Sequence, residues 1–156
     1  LHIFLPYFVS FPDHILYLIK KSIYLPIKCI NELSVCLEET ITNAFIHGTL
    51  MIPDSIRQQS HGDYRSFINA QMKTDIANKK VFVNIDYCGT KKTLTFSVKD
   101  QGTGFNTQTI DANNTLMLDF SYSTGRGLNL VRILSNKITF LENGSRIIFE
   151  KKINEN

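Results

Sequence analysis

The sequence has no paired-cysteine spacing, no long apolar run and no dense basic stripe, and each absence excludes a class of protein. Its three cysteines, Cys29, Cys36 and Cys88, are odd in number and none stands in a CxxC pair. A disulfide framework or a zinc site is therefore not expected, and a reducing cytoplasm fits best. Lys and Arg are scattered through a net charge of +3 without interleaved aromatics, so no nucleic-acid surface is indicated. The opening "LHIFLPYFVSF" is apolar but short, lacks a basic leader and is broken by Pro6, Pro12 and Asp13. It reads as a strand and turn, not a signal peptide, and no later segment is long and apolar enough to cross a bilayer. No repeat or low-complexity tract occurs. The chain begins at Leu1, as a piece of a longer protein would.

What remains is ordinary globular material: 156 residues, 43% hydrophobic and 20% charged, enough for one domain with one core over 1–156. Residues 1–9 are expected to hold an edge strand. "DHILYLIKKSIY" suits an amphipathic helix capped by Asp13, with Ile15, Leu16, Leu18, Ile19 and Ile23 on its apolar side. Pro26 marks a break. A longer helix follows over 28–48 with Leu33, Leu37, Ile41, Ala44 and Phe45 in one stripe and Gly48 ending it. Residues 49–62 read as loop and 63–77 as a helix. "KVFVNIDY" and "TLTFSVKD" alternate like strands about a turn at Gly89. Residues 101–126 look irregular, "GLNLVRILSN" is a helix, and "KITFLE" and "SRIIFEKK" form a hairpin turning at Asn143-Gly144. The order predicts an α+β, two-layer sandwich: a mostly antiparallel, mixed sheet with helices on one face.

Three motifs carry chemistry. In "CLEETITNAFIHG", Glu39 and Asn43 are one turn apart and, at about 100° per residue, point the same way. The main apolar stripe faces elsewhere, so the pair reads as lining something partly enclosed. A side-chain hydrogen bond between the two, or simple solvent exposure, is the plainer alternative. Glu38 falls beside Ser34 on another arc and is read as the solvent-facing carboxylate. In "KDQGTGFN", Asp100 ends a strand and Gly102 and Gly104 follow; glycines there let backbone approach a ligand, and the carboxylate can accept a hydrogen bond from an amino group. An ordinary strand-to-loop turn also fits. A calcium loop does not, since its alternating oxygen ligands are absent. In "STGRGLNLV", Gly125-x-Gly127 opens a helix whose free N–H groups and dipole suit a phosphate. It is neither a Walker loop nor a Rossmann fingerprint.

In this order, E-x-x-x-N on a helix, D-x-G-x-G-F after a strand and G-x-G-L before a helix, with a final Gly-Ser hairpin, resemble the GHKL ATPase superfamily, the Bergerat ATP-binding fold of gyrase, MutL and histidine kinases. "EETITNAFIHG" is similar to the first motif of anti-sigma-factor serine kinases and related histidine-kinase-like ATPase domains, E-A-x-x-N-A followed by a His. "DQGTGF" and "GRGLNLV" resemble the second and third. The resemblance spans nearly the whole chain and implies roles position by position. Asn43 corresponds to a Mg²⁺ ligand and Glu39 to the general base. Asp100 corresponds to the acceptor of the adenine amino group, with Gly102 and Gly104 beneath the nucleotide. Gly125 and Gly127, with Arg126 and Leu128, correspond to the hinge of an ATP lid over 106–124. Ser145 stands where a Thr near adenine is frequent. Two features depart from the pattern. Residues 49–80 make a long insert, similar to a helical one in ATPase domains attached to response regulators or phosphatases, and the lid is poor in Lys and Arg, with Arg126 alone near the glycines. His47 follows Asn43 by one turn and reads as phosphate-proximal or structural; His2, His14 and His61 have no ligand spacing.

The resemblance implies ATP with Mg²⁺, and protein serine/threonine kinase activity toward a small anti-sigma-factor antagonist. A sigma factor would share the surface, a homodimer is open, and neither nucleic acid nor membrane is expected as a partner. A non-catalytic nucleotide-binding module and the ATP-binding domain of a histidine kinase are the alternatives.

Overall fold

The protein's structure, a computed structural model, describes residues 11–52, 56, 66–68, 70, 71, 73, 74, 79–105 and 126–153, without the side chain of Arg126. Helix α1 spans Phe11–Ser22 and buries Phe11, Ile15, Leu16 and Ile19. It starts earlier than the sequence predicts. Pro12 takes a first-turn position, where its missing N–H costs no bond, and Asp13 lies inside that turn beside the positive end of the helix, not at the cap. Leu18 falls at the margin of the apolar arc and is exposed.

Pro26 precedes α2, Ile27–Asn43, which runs without interruption into a π-helical turn, Ala44–Thr49. The expected stripe of Leu33, Leu37, Ile41, Ala44 and Phe45 is buried along its length. Gly48 does not end the helix. It lies within the π turn and is buried, and the left-handed residue that follows is Met51, at φ 53°.

Strands β1 (Phe82–Cys88) and β2 (Thr93–Lys99), helix α3 (Arg126–Leu134), and strands β3 (Lys137–Leu141) and β4 (Arg146–Lys152) complete the described elements. The sheet order is β1-β2-β4-β3. Each described pairing is antiparallel, with Phe96 opposite both Ile85 and Phe149; the parallel component of the expected mixed sheet is not among them. Alternation places Leu94, Phe96, Val98 and Phe149 on the face that joins the helices in one core, where the Phe96 and Phe149 rings stack at 4.8 Å. Thr95, Ser97 and Glu150 take the opposite face, as a half-solvated antiparallel sheet requires. The result is the expected α+β sandwich.

Lys151 fastens the layers. Its ammonium is 2.5 Å from Glu32 on α2 and 2.5 Å from the carbonyl of Leu134 at the end of α3. Residues 66–68, 70 and 71 are helical within the predicted 63–77 helix, and Ile56 is helical inside the predicted loop. The edge strand at 1–9, the 106–124 segment and Gly125 lie outside the described residues. No helix among the described residues is long and apolar enough to cross a membrane.

Candidate functional site

Glu39 and Asn43 sit at the C-terminal end of α2, both half-buried, while Glu38 is exposed; the helical register read from the sequence holds. Cys36, on the same helix, is a core residue. The Glu39 carboxylate lies against Gly127 in the first turn of α3, so closely that a β-carbon at 127 would overlap Oε2. At the other end, Lys151 links Glu32 with the carbonyl of Leu134. Helices α2 and α3 therefore run antiparallel, and the glutamate of the first motif meets the glycine of the third. A carboxylate is well placed at a helix start, because the dipole there is positive.

The π turn brings the first motif to the second. A turn of this kind carries one residue more than an α-turn and is frequent at functional sites. Here the widened turn presents the Cα of Gly48 to the Asp100 carboxylate, leaving no room for a side chain, and the Cα of Gly102 rests on the Gly48 carbonyl. Gly102 N–H donates to Asp100 Oδ1 at 2.7 Å. Asp100 itself is 7% exposed. Burial pushes its carboxyl above the ordinary range, against the hydrogen bond from Gly102 and the charges of Lys79 and Lys99, which pull it down. A buried carboxylate is costly unless hydrogen-bonded. Next after Gly48 in sequence, Thr49 has a buried Oγ1 with no hydrogen-bond partner among the described residues.

Ser145 meets the same place from the sheet. Its carbonyl accepts from Asp100 N–H at 2.9 Å, and its hydroxyl donates to the Glu142 carbonyl at 2.8 Å. Gly104, at φ 76°, has its Cα against the Asn143 carbonyl, a conformation and an approach that suit glycine alone. Leu128 is buried. His47 Nδ1 is 3.2 Å from the Ile52 carbonyl, a contact that serves the chain reversal after the π turn. On the opposite face of the sheet, Cys88, Lys91, Thr93, Thr95, Glu150 and Lys152 line an open depression remote from these groups.

Gly48 is the site residue that the sequence reading takes for a helix stop. A glycine immediately after His47 in the first motif is the signal that could have marked it.

Residues 18–151 match the family of the histidine kinase-like ATPase domain. The chain belongs to that family. It is thereby a member of the GHKL-type ATPase superfamily and carries an ATP-binding, kinase-like ATPase domain. No curated protein matches the sequence significantly. The donor set of the histidine kinase-like ATPase domain suits a purine nucleotide: a buried carboxylate for an amino group, an orphaned hydroxyl at Thr49 nearby, and the half-exposed Glu39 and Asn43 beyond. Among the described residues no cluster of three or more His, Cys, Asp and Glu could hold a metal. A Mg²⁺ ion held mainly by nucleotide phosphates and water needs no such cluster.

Proposed function

We propose that the chain is an ATP-dependent protein serine/threonine kinase of the anti-sigma-factor type, acting in the cytoplasm on a small antagonist protein in a partner-switching system, with a sigma factor as the competing partner. The observation that carries this reading is the convergence of three motifs distant in sequence: Glu39 on Gly127, and Gly48 and Gly102 around Asp100. ATP would supply the γ-phosphoryl group, with Mg²⁺ to balance its charge.

The residues divide the work. Asp100, ionised, accepts from the adenine amino group, and Ser145 holds the Asp100 backbone in place. Gly102 and Gly104 let the floor of the site come close. Asn43 offers its side-chain oxygen to the metal. Glu39 orients the attacking hydroxyl and takes its proton. Gly125, Arg126, Gly127 and Leu128 form the phosphate end, with Arg126 as a cation for it.

Membership of the histidine kinase-like ATPase family favours a second reading, the ATP-binding domain of a histidine kinase. Incubation with Mg²⁺ and γ-labelled ATP, with and without a candidate antagonist protein, separates the two. Acid-stable label on a partner serine or threonine is the expected result. Acid-labile phosphohistidine supports the second reading. Nucleotide binding without transfer leaves a regulatory module.

A further inference from the structure

Between β3 and β4 the backbone turns through three consecutive left-handed residues, Glu142, Asn143 and Gly144, at φ 52°, 54° and 86°. Glycine and asparagine enter this region readily; a glutamate does so only when held. Glu142 is held from two sides. Lys99 Nζ is 2.5 Å from its Oε2, and Arg146 Nε is 3.2 Å from its Oε1, an ion pair without hydrogen-bond geometry. Lys99 ends β2, Arg146 begins β4, and the two are register partners. The two cations therefore stand side by side at the strand ends, immediately beside Asp100. Hydrogen bonding to Lys99 keeps the Glu142 carboxyl below its ordinary range.

The turn so held touches the site through its backbone. The Asn143 carbonyl accepts from Phe105 N–H at 2.8 Å and lies against Gly104, and the Ser145 carbonyl accepts from Asp100 N–H at 2.9 Å. The Phe105 ring packs on Gly144 and edge-on to Phe140. The strand that carries Asp100 and the loop after it are thus registered on the course of residues 142–145.

We infer that Glu142 is a positioning residue for the adenine end of the site, acting through the left-handed turn on Asp100 and residues 102–105. The inference rests on the reading of Asp100 as the adenine acceptor. Exposed ion pairs are worth little in themselves; the effect of this one lies in where it puts the backbone. An Asn-Gly turn needs no glutamate before it, and a glycine at 142 would be easier on the backbone. The anion between two cations is what a glycine would lack.

The test is titration of N-methylanthraniloyl-ADP and N-methylanthraniloyl-GDP into the full chain, its Glu142→Gln variant and its Glu142→Gly variant, with melting temperatures alongside. Glu142→Gly keeps the turn accessible, so at least one folded variant is available. ADP affinity is expected to fall about fivefold in both variants, and the preference for ADP over GDP to narrow, because only the adenine end is disturbed. Wild-type affinity and preference in a folded variant overturn the inference. So does an equal loss for both nucleotides, which marks general destabilisation. A wild-type chain that binds ADP and GDP equally overturns the Asp100 assignment beneath it; one that binds neither overturns the nucleotide reading and the inference together.

Discussion

Gly127 has no side chain, and the carboxylate of Glu39 fills the place one would take. The start of α3, which the sequence offers to a phosphate, is thus also the seat of the proposed general base. A methyl group at 127 would push Glu39 off that seat and obstruct phosphate at the same time. Gly127→Ala should lower both nucleotide affinity and phosphoryl transfer, the latter by about tenfold or more. Glu39→Gln keeps the shape and should bind Mg·ATP while losing transfer. Parallel binding and transfer assays check this; a Gly127→Ala enzyme with wild-type transfer contradicts it.

Gly48→Ala places a methyl group on the Asp100 carboxylate. Overpacking there should cost about 1–3 kcal/mol of stability and misplace the acceptor. Denaturant unfolding and ADP titration should both register the change. If affinity is intact in the folded variant, the contact is packing alone.

Asp100 gives a pH-dependent prediction. Its carboxyl is raised above the ordinary 3.8 by burial, so the folded chain holds this proton more tightly than the unfolded chain does. This contribution to stability is complete below the unfolded value and is lost as pH rises through the folded one. Asp100→Asn, which cannot ionise, should melt no lower than wild type at neutral pH, with the difference shrinking on acidification. The same variant should bind ADP roughly tenfold or more weakly, as loss of a charge-assisted hydrogen bond implies. In the wild type, ADP affinity should decline as pH falls through that raised value. Melting and titration as a function of pH, from the ordinary carboxylate value of 3.8 upward, decide the sign.

The cysteines make a chemical prediction. Cys29 and Cys36 are buried, and burial pushes the Cys36 thiol up to about 12. Cys88 is exposed, and a hydrogen bond with the Thr90 hydroxyl, 3.3 Å away, holds its thiol below the ordinary value. The folded protein should therefore react with iodoacetamide at Cys88 alone, and denaturation should release the other two. Peptide mapping of the labelled thiols is the check.

Much of this was legible because periodicity is a strong signal. The stripe of α2, the alternation of β2 and β4 and the turns at Gly89 and Asn143-Gly144 all follow from side-chain spacing. The half-burial of Glu39 and Asn43 beside exposed Glu38 follows from the same geometry. The role of Gly48 was not legible, because a glycine after a helical pattern signals a stop equally well, and only the tertiary approach of Asp100 distinguishes the two. Asp13 was misplaced because a carboxylate serves either the cap or the first turn, and Pro12 decides for the turn. Glu142 gave no local signal at all: its partners Lys99 and Arg146 come together only when β2 pairs with β4.

That pairing has a kinetic consequence. The β1–β2 and β3–β4 hairpins close over short loops, but Thr93 must find Lys152 across the whole segment between β2 and β4, and Glu39 must find Gly127. Contacts so distant in sequence form late, after the local hairpins, since loop closure opposes them until packing rewards it. The motifs are therefore apart until the last docking step. Neither half of the chain holds all three motifs, so a nucleotide that needs them together would recognise only the finished molecule. At a concentration about 100 times its dissociation constant it would stabilise the native state by roughly 2.7 kcal/mol, and where the site comes apart before the rate-limiting step of unfolding the barrier to unfolding would rise by the same amount.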